Sequence, residues 1–243
     1  YDFGLHAANE NLLVNGNYFR NRFTPRVGSS ESGINVTDGI AAEFSGFAQC
    51  YSDNRWHCTN SISFDLKMVT NGSNFCGFLV KYGHEIPSGM DRDVVFFEND
   101  KIRGDSQNST TGASGIGFSF RTINGVSGIE IFVKYLDNDG KMCVEGQFFP
   151  SPVNDIKAFN TYMVTDDNNG TIKFYANNNL FATVQCSNVL VPTANTSYKE
   201  SYYNNAKILD KRGNVLSEVT NALVSQQSAL AFGTRAETME VDN

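Results

Sequence analysis

Residues 160–185, "NTYMVTDDNNGTIKFYANNNLFATVQ", decide the fold. The stretch and the residue after it divide into short runs, "NTYMVTD" (160–166), "TIKFYA" (171–176) and "LFATVQC" (180–186). Asn168-Asn169-Gly170 fills the first gap and Asn177-Asn178-Asn179 the second. Asn and Gly accept the positive φ that a tight hairpin demands, and most other residues resist it. Two successive hairpins are therefore predicted.

The same grammar extends outward. "SISFDLKMV" (61–69) alternates Ile62, Phe64, Leu66 and Met68 with polar partners, the period of a half-buried strand. "CGFLVKYG" (76–83) and "DVVFFEND" (93–100) are apolar runs bounded by turn residues. "GIGFSFRTI" (115–123) and "GIEIFVKYL" (128–136) are joined across Asn124-Gly125, and Asp137-Asn138-Asp139-Gly140 leads into "KMCVEGQFF" (141–149). In "GNVLSEVTNALVSQQSAL" (213–230), Val215, Leu216, Val219 and Leu223 approach helical spacing, but Val and Thr dominate its first half and favour two strands. "SPVNDIKAFN" (151–160) has room for one helical turn. Many short strands with almost no helical period predict an all-β chain, an antiparallel sandwich or barrel; of these we assign the two-sheet antiparallel β-sandwich, or jelly roll. We assign residues 31–243 to that sandwich and residues 1–30 to an extended N-terminal arm and lead-in strand.

Bulk composition narrows the function. With 243 residues, 40% of them hydrophobic and 19 of them Phe, the chain can bury a core without disulfide staples. A net charge of −7 argues against nucleic acid, because no basic patch is present to displace counterions from phosphates. It argues equally against anionic membrane surfaces. No apolar run approaches the roughly 20 residues that span a bilayer as a helix. Charged residues are only 19% while Asn occurs 28 times, a mix that resembles extracellular β proteins. The opening at Tyr1 reads as a mature form whose leader has been cleaved, so a secreted or surface location is expected.

Five cysteines, Cys50, Cys58, Cys76, Cys143 and Cys186, leave at least one unpaired within the chain. Cys50 and Cys58 flank the short loop "YSDNRWH" and are candidates for a staple; the others read equally well as small buried hydrophobes. Sequons occur at Asn35, Asn71, Asn108, Asn169 and Asn195. Chance alone yields roughly four in so Asn-rich a chain, so their number decides nothing. Their positions, all in predicted turns or loops, suit a glycan.

Tyr175-Ala176-Asn177 before the strand from Leu180, and the closing "ALAFGTRAETMEVDN" (229–243), resemble the concanavalin A-like lectin/glucanase superfamily. That resemblance implies two packed antiparallel sheets, often with sugar binding. The opening "NLLVNGNYF" (11–19) resembles the start of receptor-binding domains in phage tail fibres.

Chemistry-bearing motifs are sparse. Glucanases of that superfamily carry two glutamates and an aspartate at alternate positions of one strand, so that acid and nucleophile share a cleft. In "FFENDKIRGD" (96–105), Glu98 and Asp100 fill two places, but the third holds Ile102 or Arg103. Glu130 alternates with Phe132 and Lys134 instead of a second acid. His6, His57 and His84 are scattered; His57 beside Cys58 lacks the further ligands of a metal site. "LDNDGK" (136–141) has the oxygen-rich look of a calcium turn but lacks the third acid and the bidentate Glu. No enzyme activity, cofactor or metal is therefore expected. Tyr51, Trp56, Tyr202 and Tyr203 lie in predicted loops and are candidate glycan contacts.

One feature points to assembly. Tyr1, Phe3, Leu5 and Ala7 alternate with Asp2, Gly4 and His6, a strand-like ribbon at the terminus, followed by a polar hinge, "HAANEN". Such an arm can complete a neighbour's sheet, with a side-chain pocket at every second residue. The first expectation is thus a non-enzymatic, glycosylated extracellular protein that self-associates into a filament or appendage by strand addition. The alternative is a carbohydrate-binding adhesion module, phage tail fibres included.

Overall fold

A computed structural model describes residues 11–14, 17–23, 33–37, 41–52, 61–70, 75–82, 114–139, 142–150, 152–190, 201–226 and 228–242. These residues form strands and turns, with no helix among them. The first strands are β1 (Asn11–Val14), β2 (Asn17–Phe23), β3 (Gly33–Thr37), β4 (Ala41–Ser52), β5 (Ser61–Met68) and β6 (Phe75–Tyr82). Then follow β7 (Gly115–Ile123), β8 (Val126–Leu136), β9 (Met142–Pro150), β10 (Asn160–Asp166), β11 (Thr171–Ala176) and β12 (Asn179–Leu190). The last are β13 (Tyr202–Asp210), β14 (Val215–Ser225) and β15 (Ser228–Asp242). Among the described residues no helix is long and apolar enough to cross a membrane.

The hairpins form where turn chemistry placed them. Ile123 pairs with Val126 across Asn124 (φ 52°) and Gly125 (φ 79°). Ala176 pairs with Asn179 across Asn177 (φ 47°) and Asn178 (φ 64°). Two consecutive positive φ values match the right-handed twist of the flanking strands. Between β10 and β11, the Asp167 Oδ1 accepts hydrogen bonds from the Asn169 and Thr171 amides, both at 2.8 Å. After β8, the Asp139 amide donates to Asp137 Oδ1 at 2.9 Å, so this aspartate organises a plain turn. "SPVNDIKAFN" holds bends and a turn closed by Ala158 N to Asp155 O at 3.3 Å, not the helical turn it has room for. Buried Val153 and Ile156 pin that segment, and the Met68 amide donates to Ile156 O at 2.9 Å. Residues 213–230 supply β14 and the start of β15, as the Val and Thr content predicts.

Among the described residues all pairings are antiparallel. One half of the sandwich runs β5-β10-β11-β12-β13-β14, and the other runs β6-β7-β8-β9. The two expected sheets are joined along both sides, which periodicity alone does not foretell. On one side β15 changes partner: Ser228–Arg235 pairs with β6, and Met239–Asp242 with β5. On the other, the single pair Leu223–Leu136 links β14 to β8. The β1–β2 hairpin adds to β4, which lies along the far edge of β15.

Inward residues follow the alternation. Phe64, Leu66, Met68, Tyr162, Val164, Ile172 and Phe174 from the first sheet meet Phe78, Ile116, Phe118, Phe120, Ile129 and Ile131 from the second. The rings interlock: Phe118 to Tyr162 at 5.0 Å, Phe120 to Tyr162 at 5.7 Å, and Phe149 to Phe181 at 5.6 Å.

Two outcomes are expected from this packing. A methyl group on Gly77 would sit 2.0 Å from the Phe118 carbonyl oxygen of the paired strand, whereas Gly125, at positive φ, has open space around it. Gly77→Ala should cost more than about 3 kcal/mol in a urea melt, beyond usual overpacking. Gly125→Ala should cost only about 1 kcal/mol of left-handed strain. Secondly, burial pushes the Tyr203 phenol up to about 12, and pushes Tyr162 up further still. An unfolded tyrosine titrates near pH ~10. Above that pH the unfolded chain binds fewer protons than the folded one, so the stabilisation is complete below pH ~10 and fades as pH rises through about 12. The urea midpoint should fall over that window, and Tyr203→Phe should make the fall shallower.

Candidate functional site

The outward face of β5, β10 and β11 is where exposed chemistry gathers on the described surface. Ser63, Asp65 and Lys67 point out from β5, while Ile62, Phe64, Leu66 and Met68 point in. Thr161 and Met163 of β10 and Lys173 and Tyr175 of β11 do the same. Antiparallel register sets Asp65 beside Thr161, and Ser63, Met163 and Tyr175 in one row. The Thr161 hydroxyl donates to Asp65 Oδ1 at 2.6 Å.

Phe159, 42% exposed, lies at the end of the turn that precedes β10. Lys67 Nζ lies 4.8 Å from the ring centroid and 2.7 Å from Glu240 Oε2. The ammonium thus bridges a carboxylate on β15 and the negative face of the ring, an arrangement worth roughly 0.5–1 kcal/mol at an exposed site. The backbone under Phe159 is clamped by amides. Asn160 Nδ2 donates to the carbonyls of Asp155 and Ala158, both at 2.8 Å. Asn177 Nδ2 donates to Asn160 Oδ1 at 2.9 Å, and Asn177 Oδ1 accepts from the Thr161 amide at 3.1 Å. Both asparagine side chains are committed to holding the turn. A fixed aromatic ring beside a carboxylate, an ammonium and hydroxyls can take a ligand with an apolar face and a polar rim.

The residues singled out from sequence fall elsewhere. Tyr202 and Tyr203 open β13 and are only 4% and 2% exposed. They are not in a loop: Tyr202 pairs with Leu190 and Ser225, and Tyr203 with Val189 and Val224, so both belong to the middle of a sheet. Tyr51 and Cys50 belong to β4, where Tyr51 pairs with Arg20 and Ala231. Asn35 belongs to β3, opposite Glu43, and not to a turn. Asn169 does sit exposed in its turn. Tyr1, Phe3, Leu5, Ala7, Trp56, Cys58, Asn71, Asn108 and Asn195, with Glu98 and Asp100, lie outside the described residues. Cys76 and Cys186 carry free buried thiols; Cys143 Sγ lies 3.7 Å from Asp137 Oδ2. Glu130 is buried, its Oε2 3.4 Å from Arg121 Nε, with Phe132 and Lys134 as its alternating neighbours. Sequence reading passed over Phe159, Lys67 and Asp65. A lone Phe between Ala158 and Asn160 carries no periodic signal, and only the register assembles the face.

No family profile matches the chain, and no curated protein matches it in sequence. Solved structures do match in shape. A carbohydrate-binding module, CBM66, from Bacillus subtilis is 11% identical, with a TM-score of 0.39 over 88% of this chain and 89% of that one. β-Agarase B from Zobellia galactanivorans is 10% identical, with a TM-score of 0.44 over 96% of this chain and 75% of that one. The serotype D botulinum neurotoxin ligand-binding domain, solved with N-acetylneuraminic acid, is 13% identical, with a TM-score of 0.37 over 92% of this chain and 41% of that one. At these identities and TM-scores, function has to be argued from the residues. The similarity of "NLLVNGNYF" to phage tail fibres gains no support from these matches.

Proposed function

We propose that this chain is an extracellular carbohydrate-binding module that acts by binding and not by catalysis. The observation that supports this reading is the Phe159 ring, 42% exposed and in contact with Lys67, at the end of the strand face that carries the hydroxyl and carboxylate groups of Thr161 and Asp65. A sugar ring presents C–H groups on one face and hydroxyls around its rim. The aromatic surface would cover the first, and Asp65 and Thr161 would hydrogen-bond the second. Turn-held asparagines and a sheet scaffold keep these groups in place before a ligand arrives, which lowers the ordering cost of binding. A glycan at Asn169, exposed in its turn, would fit the same extracellular setting.

The test is a broad glycan array probed with the purified chain. Retention on a subset of glycans is expected, with Phe159→Ala and Asp65→Ala each weakening it by about tenfold, or ~1.4 kcal/mol. Silence across the array, or binding indifferent to both substitutions, would overturn the reading.

Assembly by strand addition is the second reading, and one observation favours it. Among the described residues, the Val215–Thr220 stretch of β14 is paired on the β13 side only. Val215 and Leu216 are 51% and 42% exposed there. An open edge of this kind can accept a strand, and Phe3 and Leu5 of another copy would be its anchors. Removing residues 1–8 should then convert oligomers to monomers in sedimentation velocity; an unchanged profile would exclude the arm.

A further inference from the structure

We propose that Lys81 and Asp166 condense to an intramolecular amide that covalently joins the two sheets. The Lys81 Nζ lies 2.5 Å from Asp166 Oδ2, and the two side chains are 1% and 2% exposed. Asp166 ends β10 on the inward side, continuing the row of Tyr162 and Val164. Lys81 comes from β6 of the opposite sheet. Strict alternation would place it outward with Leu79, but the β6–β7 register shifts between Leu79 and Lys81. That irregularity pairs Lys81 with inward-facing Ile116 and brings its side chain into the interior. Nζ also donates to the Gln226 carbonyl at 3.0 Å, which fixes its direction of approach.

In the proposed step one proton passes from the ammonium to the carboxylate it touches, giving an amine in contact with a carboxylic acid. The Nζ lone pair then attacks Asp166 Cγ, and the Cγ–N bond forms as the Cγ–O bond to one carboxyl oxygen breaks. That oxygen leaves with two of the three Lys81 ammonium protons as one water. Atoms and charge balance without an oxidant, cofactor or external acid. Holding amine and carboxyl in contact makes the condensation intramolecular, and exclusion of water protects the product from hydrolysis. Cys186 and Tyr203 belong to the same end of the interior. Burial pushes each of them up to about 12, so neither offers an anion to compete for the acid.

Intact-mass spectrometry of the reduced, deglycosylated chain tests the proposal. The expected mass is lower than that of the sequence by one water, and Lys81→Arg restores the full mass. Because the measurement is made on denatured protein, it holds even if the variant folds poorly. Trypsin digestion of the wild type should yield a branched peptide joining the segments around Lys81 and Asp166, with no cleavage after Lys81. Full sequence mass together with cleavage after Lys81 would overturn the proposal, as would a water loss that maps to other residues.

Discussion

Phe78 and Phe118 stack at 4.6 Å within one sheet, and they meet Phe174 and Tyr162 of the other at 6.5 and 5.0 Å. This aromatic seam is the contact on which the rest of the chain depends. Burying each such ring contributes roughly 1.5–3 kcal/mol, and a one-residue slip in any of these strands would turn the whole inward row to solvent. Register, facing and sheet separation are therefore set together. Gly77 and Gly117 serve the same seam: a side chain at either would collide with the neighbouring strand or with the Phe132 ring.

Fixing the inward row also fixes the outward one. Once Phe64 and Leu66 face the core, Asp65 and Lys67 must face out, and once Tyr162 faces in, Thr161 and Met163 cannot. The turn that carries Phe159 is anchored from below by Val153 and Ile156 and from the side by Asn160 and Asn177. The candidate site is thus a by-product of core packing. Closure of the two sheets through β15 on one side and Leu223–Leu136 on the other holds its floor in one shape.

Much of this fold was legible in the sequence, because strand alternation and Asn/Gly turn chemistry are local signals. The hairpins at Asn124-Gly125 and Asn177-Asn178 follow from two adjacent residues, whatever lies beyond them. Long-range features were not legible. That β15 exchanges β6 for β5 along its length is a property of pairing between distant segments, with no mark in its own residues. Tyr202-Tyr203 read as loop because Ser201, Asn204 and Asn205 flank them, yet pairing on both sides makes them interior. The register shift that turns Lys81 inward left no local trace. The binding face was the least legible part: its members come from segments around residues 65, 160 and 240, and each alone is an ordinary surface residue.

If the outward face of β5, β10 and β11 receives a sugar, the backbone amides around it should report the ligand. Isotopically labelled protein can be titrated with the oligosaccharide it retains best and followed by NMR. Saturable shifts are expected at Asp65, Lys67, Phe159, Asn160, Thr161 and Tyr175, with amides of the aromatic seam unmoved. Saturable shifts confined to other strands would place the ligand elsewhere and contradict that expectation.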